Sequence, residues 1–274
     1  MQVDELLEQY AAGERMFRSV TLSGADLSGV DLSEVNLVRA NLQNTNFTGA
    51  NLTRVNFREA KLMNVNLTGA NLTEANLIGS NLTHAQFSKA NLTGANLRGS
   101  TSRHVSLTQA NLTEANMTEA NLSDSNFVGA TLARATLIRA NLTKANLSGA
   151  SLESCNFTNV ILRDAILEGA NLLGATLSSA LLIGANFHEA DMSRVTMIGA
   201  DLSDANLSAA NLRGANVSWS TLRGANLSRA RLYRTKLSWS NLSGANLIEA
   251  VLLDTSMHRT NLRDANLQGA IRPD

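Results

Sequence analysis

From residue 17 to residue 267 a large apolar side chain recurs at every fifth position, and the register never slips. The series runs Phe17, Leu22, Leu27 and onward to Leu267, and Ser102 is its one polar member. We call these residues anchors. Two residues before each anchor stands a small residue, mostly Ala, with variants such as Val30, Thr45, Ser80 and Cys155. The residue just before the anchor is mostly Asn, as at Asn41, Asn91 and Asn241, and the two after it are polar, charged or Gly. A period of five fits neither a helix nor a flat strand. The small residue and the anchor lie two apart, so on an extended segment both point to one face. The chain must then turn before the next pair. Asn, Asp, Ser and Gly gather at that point because they tolerate or hydrogen-bond tight turns. Each five-residue unit is therefore predicted to be one short side and one corner of a β-solenoid.

The number of sides follows from the aromatic anchors. All seven Phe fall on alternate anchors, at Phe17, Phe47, Phe57, Phe87, Phe127, Phe157 and Phe187, and Met117, Met197, Val217 and Met257 share their class. The other class is Leu apart from Ser102 and Met192. That segregation persists only with an even number of sides per coil, and four sides give twenty residues per coil. About 13 coils at the spacing of paired strands predict a rod of about 60 Å.

Tandem stretches such as NLTGANLRGS, NLTEANMTEA and NLTKANLSGA read as A(N/D)LXX, a pattern that resembles the pentapeptide-repeat family from about residue 15 to residue 269. The resemblance implies an all-β fold, a right-handed quadrilateral β-helix. The regular ANL runs and the opening ELLEQYAAGE resemble cyanobacterial members. The best understood members mimic DNA and bind type II topoisomerases, so the resemblance also implies a DNA-mimic modulator as one functional reading.

Three segments are expected: a capping helix in residues 1–14, the solenoid in 15–269, and a tail in 270–274. Leu6, Leu7, Tyr10 and Ala11 fit one helical face and Gly13 suits the stop. A cap is needed because a solenoid end exposes unpaired backbone. At the other end Pro273 blunts the edge, or a second subunit covers it to form a homodimer through the C-terminal coils.

Composition narrows the function classes. With 4% aromatic residues and one Pro, the chain cannot build an ordinary globular core, yet 44% hydrophobic is too much for disorder. Charge is balanced, 23 basic against 23 acidic, so there is no global field to steer nucleic acid or membrane. The start carries no basic, apolar leader and no run is long enough to span a bilayer, so a cytoplasmic protein away from membranes is expected.

Catalytic and metal motifs are missing in any specific form. Of the four histidines, His84, His104, His188 and His258, the first two stand twenty apart and should stack on adjacent coils, half a metal site, but no third ligand matches their position and they read as solvated surface residues. Cys155 faces inward, and Glu74 and Glu114 read as ordinary solvated carboxylates. The Asn-Leu-Ser/Thr triplets are by-products of the repeat. A solenoid also offers no deep apolar cavity. No enzyme activity, cofactor, metal or small-molecule substrate is expected. Ser102, among stacked leucines, demands a hydrogen bond for its hydroxyl and reads either as a tolerated defect or as a bend.

Folding the sequence at twenty residues per coil yields two surface patches. Trp219 and Trp239 occupy the same corner of consecutive coils and Arg259 continues that column; Arg213, Arg231, Tyr233, Arg234 and Lys236 lie on the neighbouring face, with Val251 and Leu253 extending the Tyr233 side. No acidic residue occurs between Asp204 and Glu249. Aromatic side chains with Arg are the composition of interface anchors. The patch reads as a protein-contact or self-association surface, as a polyanion or nucleic-acid surface, or as drift on a tolerant scaffold. Nucleic acid is the less favoured partner because charge is balanced overall. The second patch is apolar: Ile161 and Leu181 replace the outward Asn, with Ile183 beside them and Ile166 round the corner. It reads equally as a contact surface or as ladder packing. The favoured function is a non-catalytic scaffold presenting side-chain columns to an unidentified protein partner or to itself.

Overall fold

The computed structural model describes residues 1–271, so the expectation placed on Pro273 lies outside the described residues. Two compact units are present, Met1–Thr136 and Leu137–Asp274, and both are built from the same five-residue device.

In each unit the residue before an anchor pairs in parallel with the residue twenty positions on, as in Thr21↔Asn41 and Asn51↔Asn71 in the first and Asn171↔Asp191 and Asn226↔Asn246 in the second. Twenty residues thus make one coil, and five-residue units make it four-sided. The ladder is dense. Leu52 N donates to Asn71 O at 2.7 Å, Asn71 N to Ala50 O at 2.9 Å, and Arg54 N to Thr73 O at 2.8 Å. A fourth bond closes the corner: Val55 N donates to Leu52 O at 3.1 Å. Nearly every backbone polar group of a side and its corner is satisfied this way, which the buried interior requires.

The corner has one strict demand. Every second residue after an anchor, from Ser19 to Gly269, has positive φ, while the residue before it does not. With the corner hydrogen bond, that is the signature of a type II turn. Gly takes such a position without penalty; a side chain there costs roughly 1 kcal/mol. All the glycines of the repeat stand at this one position.

Asn before the anchor serves the same corner. Its side-chain oxygen accepts the N–H two residues on, as when Thr73 N donates to Asn71 Oδ1 at 3.2 Å, and the Thr73 hydroxyl donates there as well at 2.6 Å. Asp replaces it at positions 26, 31, 191 and 201. At the first two, bonds from Ser28 and Ser33 hold the carboxyls below the usual carboxylate range. Asn side chains also join coil to coil: Asn206 Nδ2 donates to Asn186 Oδ1 at 2.9 Å.

Inside, the small residues and anchors are almost all fully buried. Phe47 and Phe57 stand on opposite sides of one coil and meet edge to face at 6.0 Å and 63°. This explains the segregation of Phe onto alternate anchors: alternate sides face each other across the interior.

Ser102 is buried and its hydroxyl pairs with that of Ser100 at 2.8 Å. One coil on, Ser125 Oγ donates to Ser102 O at 3.0 Å and accepts from Val105 N at 3.2 Å, closing that corner through a hydroxyl. The ladder continues, with Ser102 N bonded to Asn121 O at 2.8 Å. Ser102→Leu is expected to raise stability by about 1 kcal/mol: a buried Leu gains about 2 kcal/mol and the lost hydroxyl pair removes about 1. Urea unfolding followed by circular dichroism measures the difference.

The N-terminal helix, α1 (Val3–Ala11), ends at Ala12 and Gly13, where φ of Gly13 is +100°. Leu6 is fully buried and Leu7 half-buried. Tyr10 donates its hydroxyl to Ser33 O at 3.2 Å while Arg15 lies 3.8 Å over its ring. Ala11 does not share this face; it is exposed. It stands about 100° round the helix from Tyr10, so the packed face is Val3, Leu6, Leu7 and Tyr10.

Candidate interaction surface

Both tryptophans lie in the second unit, on the second corner residue of successive coils, with φ of +63° at Trp219 and +65° at Trp239. The turn imposes this conformation, uncommon for a bulky residue. Their indoles stack at 4.8 Å and 4° yet remain 61% and 41% exposed. The next coil extends the column: the Arg259 guanidinium lies 4.4 Å over Trp239, and His258 meets the same ring edge to face at 6.2 Å. Stacking and cation–π contacts hold the ladder rigid while leaving its outer aromatic surface in water.

The other group gathers on the preceding corner. Arg213 and Arg234 lie 5.4 and 4.9 Å from the Tyr233 ring centre. The side between the two corners carries exposed Lys236, and Ile198, one coil before Trp219 on the first residue of the same corner, is 39% exposed. Arg231 is exposed one residue before its anchor Leu232. The structure therefore places the sequence candidates on two corners and the side between them, except Arg231, which stands on the side before the Tyr233 corner, and it adds Ile198, His258 and Arg194. Reading the columns one coil further in each direction would have found all three.

The patch is less basic than its linear sequence suggests. Coil stacking brings Asp254 to 3.5 Å from Arg234 in the patch and, on the corner opposite the Trp pair, Glu249 to 2.8 Å from Arg229. The residues between Asp204 and Glu249 lack acids, but their neighbours in space do not. Such pairing recurs at other corners: Arg39 with Glu59 and Arg54 with Glu74, both at 2.7 Å, and Arg134 with Glu114 at 2.8 Å.

In the apolar patch Ile161 and Leu181 pair in one parallel bridge, both half-buried, with Ile183 half-buried beside them and Ile166 at 38% exposure. In the first unit His84 and His104 stack at 5.0 Å and 8°. Among the described residues no group of three or more His, Cys, Asp or Glu is placed to hold a metal ion, and no helix is long and apolar enough to cross a membrane. One open surface depression, of about 510 Å³, lies over Gly214 between Arg194, Arg213 and Arg234.

The chain belongs to the pentapeptide-repeat family. The model for pentapeptide repeats matches eight times, over residues 21–59, 60–99, 103–137, 135–173, 161–199, 170–208, 200–238 and 240–271. Members adopt a right-handed quadrilateral β-helix, a repeat scaffold, and this chain adds one short N-terminal helix. Among solved structures it is similar to HetL, a pentapeptide repeat protein involved in heterocyst differentiation regulation from the cyanobacterium Nostoc sp. strain PCC 7120. Identity is 29%, over 100% of this chain and 98% of that one, with a TM-score of 0.53. Rfr23 from the cyanobacterium Cyanothece 51142 is 28% identical over 44% of this chain and 97% of its own, with a TM-score of 0.42. QnrB1, a plasmid-mediated fluoroquinolone resistance protein, is 19% identical over 67% and 91%, with a TM-score of 0.41. No curated protein matches the chain significantly in sequence.

Proposed function

We propose that the chain is a non-catalytic interaction scaffold whose contact surface is the side of the second unit framed by the Trp219–Trp239 corner and the Arg213–Tyr233–Arg234 corner, and that its partner is a protein. The observation that carries this is the exposed Trp ladder. Two indoles held parallel and solvent-facing, with Arg259 stacked at one end, are rigid aromatic anchors of the kind that dominate binding energy at interfaces. Rigid stacking also lowers the entropy lost when a partner covers them. The family's structural role and the absence of a deep cavity among the described residues support a binding protein over an enzyme. DNA mimicry is less well supported, because it needs a continuous acidic face, whereas the corners interleave Arg with Glu. Polyanion binding remains the competing reading of the Arg groups, and salt separates the two: multiple Arg–phosphate contacts weaken steeply with ionic strength, an aromatic contact does not. The test is affinity capture from an extract of the source cells. A protein retained by the native chain and lost with Trp219→Ala, Trp239→Ala supports the reading; equal retention by both overturns it.

A second reading rests on the last described coil. There Met257, Leu262 and Leu267 are only half-buried, whereas the anchors before them are covered, and Leu253 and Ile271 are 38% and 52% exposed. A second copy of the chain covering this coil would bury them and form the homodimer through the C-terminal coils. Sedimentation equilibrium is expected to show a dimer that Leu262→Glu converts to monomer. A native chain that stays monomeric throughout rejects this reading and leaves the Trp surface untouched.

A further inference from the structure

Several corner arginines are paired with acids from the neighbouring coil or the same turn, and the first unit shows one complete arrangement. Glu59 stands on a second corner residue with φ of +57°. Arg39, twenty residues before it, donates Nε to Glu59 Oε2 at 2.7 Å, and Arg58, in the same turn, donates Nε to Oε1 at 3.1 Å. Bonding from Arg39 foremost holds the Glu59 carboxyl below the usual glutamate range. The carboxylate thus sits in a fork of two guanidiniums, one from each of two coils.

The second unit repeats this fork without its carboxylate. Arg194 stands twenty residues before Gly214 and Arg213 one residue before it, the spacing of Arg39 and Arg58 about Glu59. Gly214 occupies the equivalent corner position, φ +68°. Arg194, Arg213 and Gly214 line one depression of about 510 Å³, joined by Arg234. Arg234 is paired with Asp254, and Arg213 faces the Tyr233 ring; among the described residues neither Arg194 nor Arg213 has an acidic partner. A side-chain Cβ at Gly214 would meet only Arg194 Cγ at 3.9 Å, an ordinary contact. The space where Glu59 places its carboxylate is therefore open at Gly214, with the two donors still beside it.

We propose that the notch over Gly214 is a carboxylate-binding site, filled by an acidic side chain of a partner protein that completes the Arg194–Arg213 fork as Glu59 completes the fork of Arg39 and Arg58. Guanidinium forks match a carboxylate in plane and hydrogen-bond count, and the match survives only for Arg. Arg234 walls the notch on its far side, with the Tyr233 ring against both Arg213 and Arg234, and these set the approach of the acidic segment. The site lies one side away from the Trp ladder, so a partner on that side would reach both. The proposal rests on the interaction reading for the identity of its occupant, but the notch itself can be tested without any partner.

The experiment titrates the full chain with an N-acetylated, C-amidated hexaglutamate peptide at low ionic strength and follows the Arg194 and Arg213 side-chain Nε–H signals by NMR. The native chain is expected to bind, with both signals moving together. Gly214→Glu supplies the missing carboxylate from within, in a turn that already accepts Glu at position 59, and should weaken peptide binding at least tenfold. Gly244→Glu adds the same charge to a corner where a Cβ meets nothing within 4 Å, and should bind as the native chain does. Arg194→Gln and Arg213→Gln should each weaken binding severalfold, which keeps the test open if Gly214→Glu fails to fold. Trp219→Ala, Trp239→Ala should leave peptide binding unchanged while abolishing partner capture, so the two proposals fail separately. Equal binding by the native chain and Gly214→Glu overturns the site. Tighter binding of inorganic phosphate or of single-stranded oligothymidine than of the peptide overturns the carboxylate assignment.

Discussion

Phe57→Ala is expected to lower the unfolding free energy by about 3–5 kcal/mol, the range for truncating a fully buried aromatic side chain. Phe57 has no exposed surface and spans the coil to meet Phe47 at 6.0 Å. The coil cannot collapse into the space, because its four corners are fixed by turns and its sides by the ladders above and below. Each coil also relies on contact with its neighbours alone, so a weakened coil cannot borrow support from distant parts of the chain. Urea unfolding of native and variant chains, followed by circular dichroism, gives the difference. A loss below about 1 kcal/mol would mean that the interior repacks and that the rigid four-sided frame described above is wrong.

The second large effect falls on binding. Trp219→Ala, Trp239→Ala is expected to weaken association with the protein partner at least a hundredfold, since an interface hot spot contributes about 2 kcal/mol or more per residue. Stability should change little. Neither indole is buried in the coil interior, and the backbone hydrogen bonds of their corners, Trp219 N to Ser238 O at 3.1 Å and Trp239 N to His258 O at 3.0 Å, do not depend on the side chain. Isothermal titration calorimetry with the captured partner gives the affinity, and thermal unfolding gives the control. A variant that binds normally places the contact elsewhere; one that unfolds early would make the ladder a structural brace.

The fold was legible because five-residue periodicity is a steric statement. A small residue and an anchor two apart fix one side, and the tolerance of Gly, Asn and Asp for tight turns marks the corner. Even the count of sides could be read, because Phe residues that face each other across the interior must lie on alternate anchors. The helix face was read less well. Ala11 is apolar but short, and a nine-residue helix rotates it away from the surface that Tyr10 touches. Sequence spacing alone does not show which edge of an apolar stripe meets the coil.

The surface was legible only in part. Stacked like residues, such as the tryptophans, stand out once the chain is folded at twenty residues per coil. Charge compensation does not, because it depends on pairs such as Arg234–Asp254, which are distant in sequence and adjacent in space. The Gly214 notch was harder still, since its signal is an acid that is missing from a position where Glu59 shows what belongs there. Finding it requires the geometry of the filled fork first. Ser102 likewise could not be resolved from its anchor position alone; its partners Ser100 and Ser125 come from its own side and from the next coil.

Trp219 and Trp239 are the two tryptophans of the chain, so tryptophan fluorescence, excited selectively over that of Tyr10 and Tyr233, reports on the proposed contact surface and nowhere else. The most direct measurement is acrylamide quenching of that fluorescence, in the isolated chain and in the complex captured from source cells with a partner lacking tryptophan or labelled with a non-fluorescent analogue. Strong quenching in the free chain that falls severalfold in the complex is the result this account predicts. Quenching that is unchanged in the complex would show both indoles still in water, and the surface between Arg213 and Arg259 would not be where the scaffold holds its partner.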